Sequence, residues 1–187
     1  MLHVHLLPYP ELRTPRLVLR RIALADAPAL FAIRTDPSVL TYLDREPETT
    51  LAETEAVMQR MDEALTANEG IVWGLTRVGQ EAVLLGTCGI WRFDAANHRG
   101  EIGYMLSPTA WGQGLMGEAL AAVCRYGFEQ LGLHGIEGNV NPGNAASIAV
   151  LERQGFVREA YFRENYYFRG QFTDSAIYSL LAPAKGE

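Results

Sequence analysis

Residues 112–131, "GQGLMGEALAAVCRYGFEQL", constrain the fold of this chain more than any other stretch. Gly112, Gly114 and Gly117 open it, and the pattern that follows reads as a long helix running toward Gly132. That helix is apolar on two stripes, Ala119, Ala122, Val123 and Tyr126 on one and Leu120, Cys124 and Leu131 on the other. A helix apolar on two sides is hidden on two sides, so it belongs deep against a sheet. The glycines ahead of it let backbone approach backbone, and successive amides there can point into one concavity. With the unpaired N–H groups and positive dipole end of the helix, such a turn suits a pyrophosphate. It lacks the Lys followed by Ser or Thr of the common nucleoside-triphosphate loop.

The spacing of the three glycines is also G-x-G-x-x-G, with Glu137 twenty residues on, the pattern of dinucleotide-binding domains. The flanking elements argue against that reading. "SPTAW" separates Gly112 from the preceding strand, only 70 residues follow Gly117, and Glu137 sits inside a strand instead of at its end. The segments before the turn also pair as hairpins. "IVWGLTR" (71–77), "AVLLGTCGIWRF" (82–93) and "GEIGYML" (100–106) are strands with connections short enough for antiparallel pairing.

Upstream, "RLVLRRI" (16–22) reads as a strand. Asp26 is expected to cap a helix with Pro28 in its first turn, and Asp36-Pro37 stops that helix. A second helix begins near Thr50, with Glu53 completing a capping box and Val57, Met61 and Leu65 on its buried side. Downstream, "HGIEGNV" (134–140) is a strand and "NAASIAVLERQ" (144–154) a helix ended by Gly155. Strands around "FVREAYF", "NYYFR" and "SAIYSLL" complete the chain, with "RGQ" a turn. The order predicts a mixed α/β fold in one domain of 187 residues, its core spanning about 12–181. The sheet is mostly antiparallel with a parallel part.

A net charge of −6 opposes broad nucleic-acid binding. No apolar run is long enough to span a membrane, and the start lacks the marks of a signal peptide. A soluble cytoplasmic protein is expected, with Cys88 and Cys124 as buried, reduced thiols. His3 and His5 alternate with apolar residues as in an edge or frayed strand, and no cluster around them suggests a metal site.

Three segments together, "GEIGYMLSPTAWGQGLMGEAL", "NVNPGNAASIAVLERQGFVREA" and "ENYYFRGQFTDSAIYSLL", resemble the GNAT acyltransferase superfamily. Within it they look most like the ribosomal-protein N-terminal (alanine) acetyltransferases. The resemblance runs from about Leu12 to about Leu181. It implies a sheet splayed in the middle with helices on both faces, and an enzyme that moves an acetyl group from acetyl-CoA to a primary amine. It implies that backbone amides from Gln113 through Gly114, Leu115 and Met116 to Gly117 hold the pyrophosphate. The cofactor arm lies along Tyr104, Met105 and Leu106, and Asn144 and Ser147 stand near the thioester.

Three positions depart from the pattern. Trp111 and Met116 stand where the family's phosphate motif often has Gln or Arg and Gly or Ala. Leu151 stands where many members carry a tyrosine that protonates the departing thiolate. Ser147, a water, or no proton donor at all remain open for that step. Glu101 is the candidate general base, with salt bridging as its alternative role, and a backbone amide near Met105 would meet the oxyanion. Glu118 fits a role in the helix dipole or in capping the loop. A protein N-terminus is the acceptor that the resemblance suggests. A small amine (antibiotic, polyamine or amino acid) and a catalytically silent CoA-binding sensor are the alternatives. The acceptor side is expected in "TDPSVLTYLDREPE" and the aromatic tail, whose strands also leave room for a homodimer.

Overall fold

The glycine turn and the helix behind it set the layout of the whole sheet. The computed structural model describes residues 2–183. The helix begins after Gly114, whose φ of 72° is a left-handed conformation that favours glycine, and Gly112 has a φ of 71°. This is α4 in an order β1 (Leu12–Arg13), β2 (Leu17–Arg20), α1 (Ala27–Thr35), α2 (Pro37–Leu40), α3 (Leu51–Thr66), β3 (Gly70–Arg77), β4 (Gly86–Asp94), β5 (Arg99–Leu106), α4 (Leu115–Glu129), β6 (Gly135–Val140), α5 (Ala145–Arg153), β7 (Val157–Phe168), β8 (Gln171–Leu181). Among the described residues the strands form one eight-stranded sheet in the order β1-β2-β3-β4-β5-β6-β8-β7. Every neighbouring pair is antiparallel except β5 and β6, which are parallel.

Register decides which side chains share a face. Trp73 is opposite Cys88, which is opposite Tyr104; Ile71 is opposite Ile90, which is opposite Ile102. These residues face α4. Its Gly127 sits so close to Ile90 and Ile136 that a Cβ there would lie 3.0 Å from a methyl of each, and Tyr126 meets the edge of Trp73. The two apolar stripes of α4 are buried, as the sequence pattern requires. On the opposite face Ala27 and Leu30 of α1, Met58 of α3 and Leu84 form a second, smaller cluster. Helices therefore cover both faces, and no helix among the described residues is long and apolar enough to cross a membrane.

Several local expectations are corrected. Asp26 does not cap α1 with its side chain. Its carboxylate accepts both Nη groups of Arg20 at 2.7 Å and the Ala23 N–H at 2.7 Å, joining β2 to the start of α1. Glu53 reaches the N–H of Thr49, one residue ahead of the cap, while Thr50 accepts from the Glu53 N–H. The buried stripe of α3 is Thr54, Met58 and Leu65, with Val57 and Met61 at its margin. His3 and His5 lie in no strand; their segment is fixed by the buried Leu2 and Leu6.

β4 starts at Gly86, because residues 80–85 are used in the turn from β3. The tail forms two strands where three were expected. "FVREAYF" and "NYYFR" are one strand whose register shifts between Phe162 and Tyr166, where Asp174 accepts from the Glu164 N–H. Cys88 and Cys124 are free and buried, as expected. β1 and α2, two and four residues long, had no hydrophobic period to announce them.

Burial alone would raise the Asp26 carboxyl, but the Arg20 fork and the Ala23 N–H hold it below the usual carboxylate range. Asp26 is 5% exposed, so losing its charge leaves Arg20 without its partner. Asp26→Asn should therefore cost about 2 to 3 kcal/mol at pH 7, lowering the thermal midpoint by about 5 to 10 °C. A depressed folded-state carboxyl contributes its full stability above the unfolded value of about 3.9 and loses it as pH falls through the folded value. The gap between native and variant midpoints should then close below about pH 4; a gap independent of pH would contradict the assignment.

Candidate active site

Parallel strands point their carboxyl ends the same way, so whatever follows β5 and β6 starts at the same end of the sheet. The ladder between them runs from Arg99↔Gly135 only to Ile102↔Gly138. Beyond it, Gly103 to Leu106 pair with β4 alone, and Asn139 and Val140 of β6 pair with β8 alone. This leaves a seam in the sheet, edged by strand backbone with hydrogen-bonding capacity to spare. The glycine turn and α4 start on one side of it, and Asn144 and α5 on the other.

The turn is fixed from three directions. The Trp111 indole donates to the carbonyl of Leu106 at 2.8 Å, tying the turn to the end of β5. Arg16 donates to the carbonyl of Gln113 at 2.8 Å, and Arg77 bonds the Gln113 side chain. Glu118, in the first turn of α4, accepts from the Thr14 hydroxyl at 2.5 Å, the Arg16 N–H at 2.9 Å and the Arg16 Nε at 2.6 Å. Burial would raise the Glu118 carboxyl, but these bonds hold it below the usual range. Leu115 and Met116 bury their side chains, so only backbone is available there, while Gln113 and Gly114 are exposed. A Cβ on Gly112 would meet nothing within 4 Å, so the turn has open space beside it.

The seam has two chemically different faces. On the face toward α4 and α5, the Tyr104 hydroxyl lies 2.8 Å from Ser147 Oγ and 3.3 Å from the Ser147 carbonyl. Burial is the main cause that pushes the Tyr104 phenol up to about 12, partly offset by its bond with Ser147. Asn144 caps α5, its Oδ1 accepting the Ser147 N–H at 3.0 Å. Leu151 is buried against Gly138 and carries no polar group to the seam.

On the other face Glu101 stands in register between Trp91 of β4 and Glu137 of β6. Glu101 accepts from Arg92 at 2.9 Å, and Arg99 Nε lies 2.6 Å from Glu137. The Trp91 ring covers Gly103, where a Cβ would be only 2.2 Å from it. Residues 41–48 cross this face. Tyr42 packs against Gly143, and Arg45 reaches the Met105 sulfur at 3.9 Å. Glu48, nearly buried, joins Arg34 to Arg45. Asp44 accepts from the Thr173 hydroxyl at 3.1 Å and Glu46 binds Arg169, which fastens the segment to the β7–β8 hairpin.

The expected residues are grouped around the seam on two faces of the sheet, with Glu101 in the last part of the closed ladder, two residues before the opening at Gly103. Tyr104, Asn144 and Ser147 are on one face, Glu101 on the other, and Gln113 to Gly117 are at the end of the seam. The salt-bridge partner of Glu101 is Arg92. Sequence reasoning missed Arg16 and Arg34, which act over more than ten residues of separation, and the side chain of Tyr104. Strand alternation relative to Glu101 was a signal for the latter, since residues 101 and 104 must face opposite ways.

Residues 16–157 match the family described as Acetyltransferase (GNAT) domain. The chain is 33% identical over 175 residues to "Uncharacterized N-acetyltransferase YoaA" of Bacillus subtilis (strain 168), covering 94% of this chain and 98% of that one. Over 86 residues, 46% of this chain and 44% of the relative, it is 35% identical to the [Ribosomal protein uS5]-alanine N-acetyltransferase of Escherichia coli (strain K12). The solved RimL ribosomal L7/L12 alpha-N-protein acetyltransferase, a complex with coenzyme A, has the same fold. The TM-score is 0.82 at 21% identity, over 92% of this chain and 98% of that one.

Glu118→Ala removes three hydrogen bonds from a largely buried carboxylate, though Arg16 is about half exposed and screened. We expect a loss of about 1 to 2 kcal/mol in urea unfolding at an unchanged slope. Arg16→Ala should cost a similar amount, and the double variant clearly less than the sum. Additive losses would mean that the two residues do not share one network.

Proposed function

The chain belongs to the GNAT family of acetyl-CoA-dependent N-acetyltransferases, and we propose that it acetylates the α-amine of a protein or peptide N-terminus by direct attack in a ternary complex. The open seam carries this reading. It offers the edge of Gly103 to Leu106 that β6 leaves uncovered, beside a turn of exposed backbone, with the positive end of α4 at the same place. These features fit a long cofactor with a pyrophosphate and an amide-bearing arm. Tyr104, Met105 and Leu106 would hold the arm through backbone, Gln113, Gly114, Leu115, Met116 and Gly117 the pyrophosphate, and Asn144 and Ser147 the region of the thioester. Acetyl-CoA, when bound, supplies an activated acyl group with a thiol leaving group.

The chain's own groups divide the remaining work by face. Glu101 takes the proton that the attacking nitrogen loses, directly or through a water. A backbone amide near Met105 meets the oxyanion, and Ser147, across the seam, meets the departing sulfur. Glu101 already shares an oxygen with Arg92. One engaged carboxylate suits an acceptor that is partly unprotonated near neutral pH. An α-amine at about 7.7 to 8.0 meets that condition and an alkyl ammonium at about 10.4 does not. The E. coli uS5-alanine relative supports the same choice. Free, buried Cys88 and Cys124 fit a reducing cytoplasm. Among the described residues no group of His, Cys, Asp and Glu is arranged to hold a metal ion.

The test pairs ligand binding with turnover. Acetyl-CoA and CoA should each raise the thermal midpoint by several degrees at about 100 times their dissociation constants, while NAD should not. Thiol release should then be fastest with peptides carrying a free α-amine, and slower with spermidine, aminoglycosides and free amino acids. Preference for one of the latter would overturn the acceptor, and binding without release under any amine would leave a sensor. Glu101→Gln should lower kcat about a hundredfold with the acetyl-CoA dissociation constant nearly unchanged. A variant with native turnover across pH would remove Glu101 as the base.

A further inference from the structure

With Leu151 apolar and buried, the polar groups on the sulfur side of the seam include Ser147, Asn144 and Tyr104, and both of the others bond Ser147. A serine hydroxyl has one hydrogen to give and two lone pairs to receive with. Whether Ser147 can donate into the seam therefore depends on what its oxygen accepts. Its main-chain N–H is already spent on Asn144 Oδ1 at 3.0 Å, which fixes the residue in the first turn of α5. The Tyr104 oxygen is 2.8 Å from Ser147 Oγ, arriving from β5 on the opposite side of the seam.

A phenol is a far stronger acid than an alkyl alcohol, and its O–H is 2.8 Å from Ser147 Oγ against 3.3 Å from the Ser147 carbonyl that it also reaches, so the favoured polarity runs from the Tyr104 O–H to Ser147 Oγ. That leaves the Ser147 hydrogen as the free end of the chain. Burial keeps the phenol neutral well beyond neutral pH, so it remains a donor throughout the working range.

Resting on the acetyltransferase reading above, we propose that Tyr104 is a positioning residue that orients the Ser147 hydroxyl as a hydrogen-bond donor to the sulfur of CoA. Its contribution is the direction and strength of another group's bond. As the C–N bond forms and the C–S bond breaks, sulfur keeps the electron pair. The amine's proton goes to Glu101 and on to solvent. The thiolate, stabilised by the Ser147 O–H, takes a proton from water after release. No serine alkoxide is formed and none is needed, since an ordinary thiol ionises near 8.5. The strand residue thus takes over part of what a tyrosine at Leu151 would supply from the helix, with the serine in between.

The experiment reads the pKa of the thiol of bound CoA from thiolate absorbance in a pH titration, which needs no turnover. The native protein should hold that thiol below the value for free CoA. Ser147→Ala should raise it by about one unit, as loss of a hydrogen bond to a charged group implies. Tyr104→Phe, which removes one oxygen and keeps the ring, should raise it by about half a unit, and the double variant should match Ser147→Ala alone. In turnover, Tyr104→Phe should lower kcat three- to tenfold with the KM for acetyl-CoA within twofold. A native thiol pKa in Tyr104→Phe, or a full further shift when it is added to Ser147→Ala, overturns the proposal. Failure of the native protein to bind CoA at all overturns instead the function on which the proposal rests.

Discussion

The parallel ladder between β5 and β6 closes for four residue pairs and then stops, and the site is a consequence of where it stops. Had it continued, the backbone of Gly103 to Leu106 would be satisfied on both sides and the sheet would offer nothing to a ligand. Because the two strands run the same way, the helices that follow them start at the same end. Their unpaired N–H groups then lie on either side of the opening. Antiparallel pairing at this one junction would have sent one helix start to the far end of the sheet.

The rest of the molecule keeps that opening in shape. α4 is buried on two stripes against the sheet, which fixes where its first turn sits. The Thr14–Arg16–Glu118 contacts then hold the glycine turn beside it, through a carboxylate placed where a helix dipole favours negative charge. On the opposite face, residues 41–48 are pinned to Arg34 at one end and to the β7–β8 hairpin at the other. The seam is thus bounded by two separately anchored surfaces. Strand alternation turns Glu101 and Tyr104 in opposite directions, which is the arrangement that the proposed base and thiolate-side donor require.

Much of this was legible in the chain. The hairpin spacing of β3 to β5, the two-striped α4 and the glycine turn specified the central sheet and its buried helix. Their order excluded the dinucleotide fold despite a matching glycine pattern. What escaped was set by tertiary partners. Asp26 had the position and residue type of a helix cap, yet an arginine six residues back made a stronger, charge-assisted claim on it. The tail looked like three strands because polar residues 163–165 interrupt the aromatic pattern; a bulge accommodates them without a turn. The Tyr104 hydroxyl was hidden in the same way. Its partner Ser147 lies 43 positions away, which no local pattern announces, although alternation already placed Tyr104 on the face opposite Glu101.

Amide hydrogen exchange with and without CoA tests the central claim most directly, because it reports the backbone itself. Binding in the seam should slow exchange in Gly103 to Leu106 and in Gln113 to Gly117, and leave the paired strands β2 and β3 unchanged. Protection confined to other elements, such as α3 and β3, with β5 and the turn exchanging as before, would contradict the account.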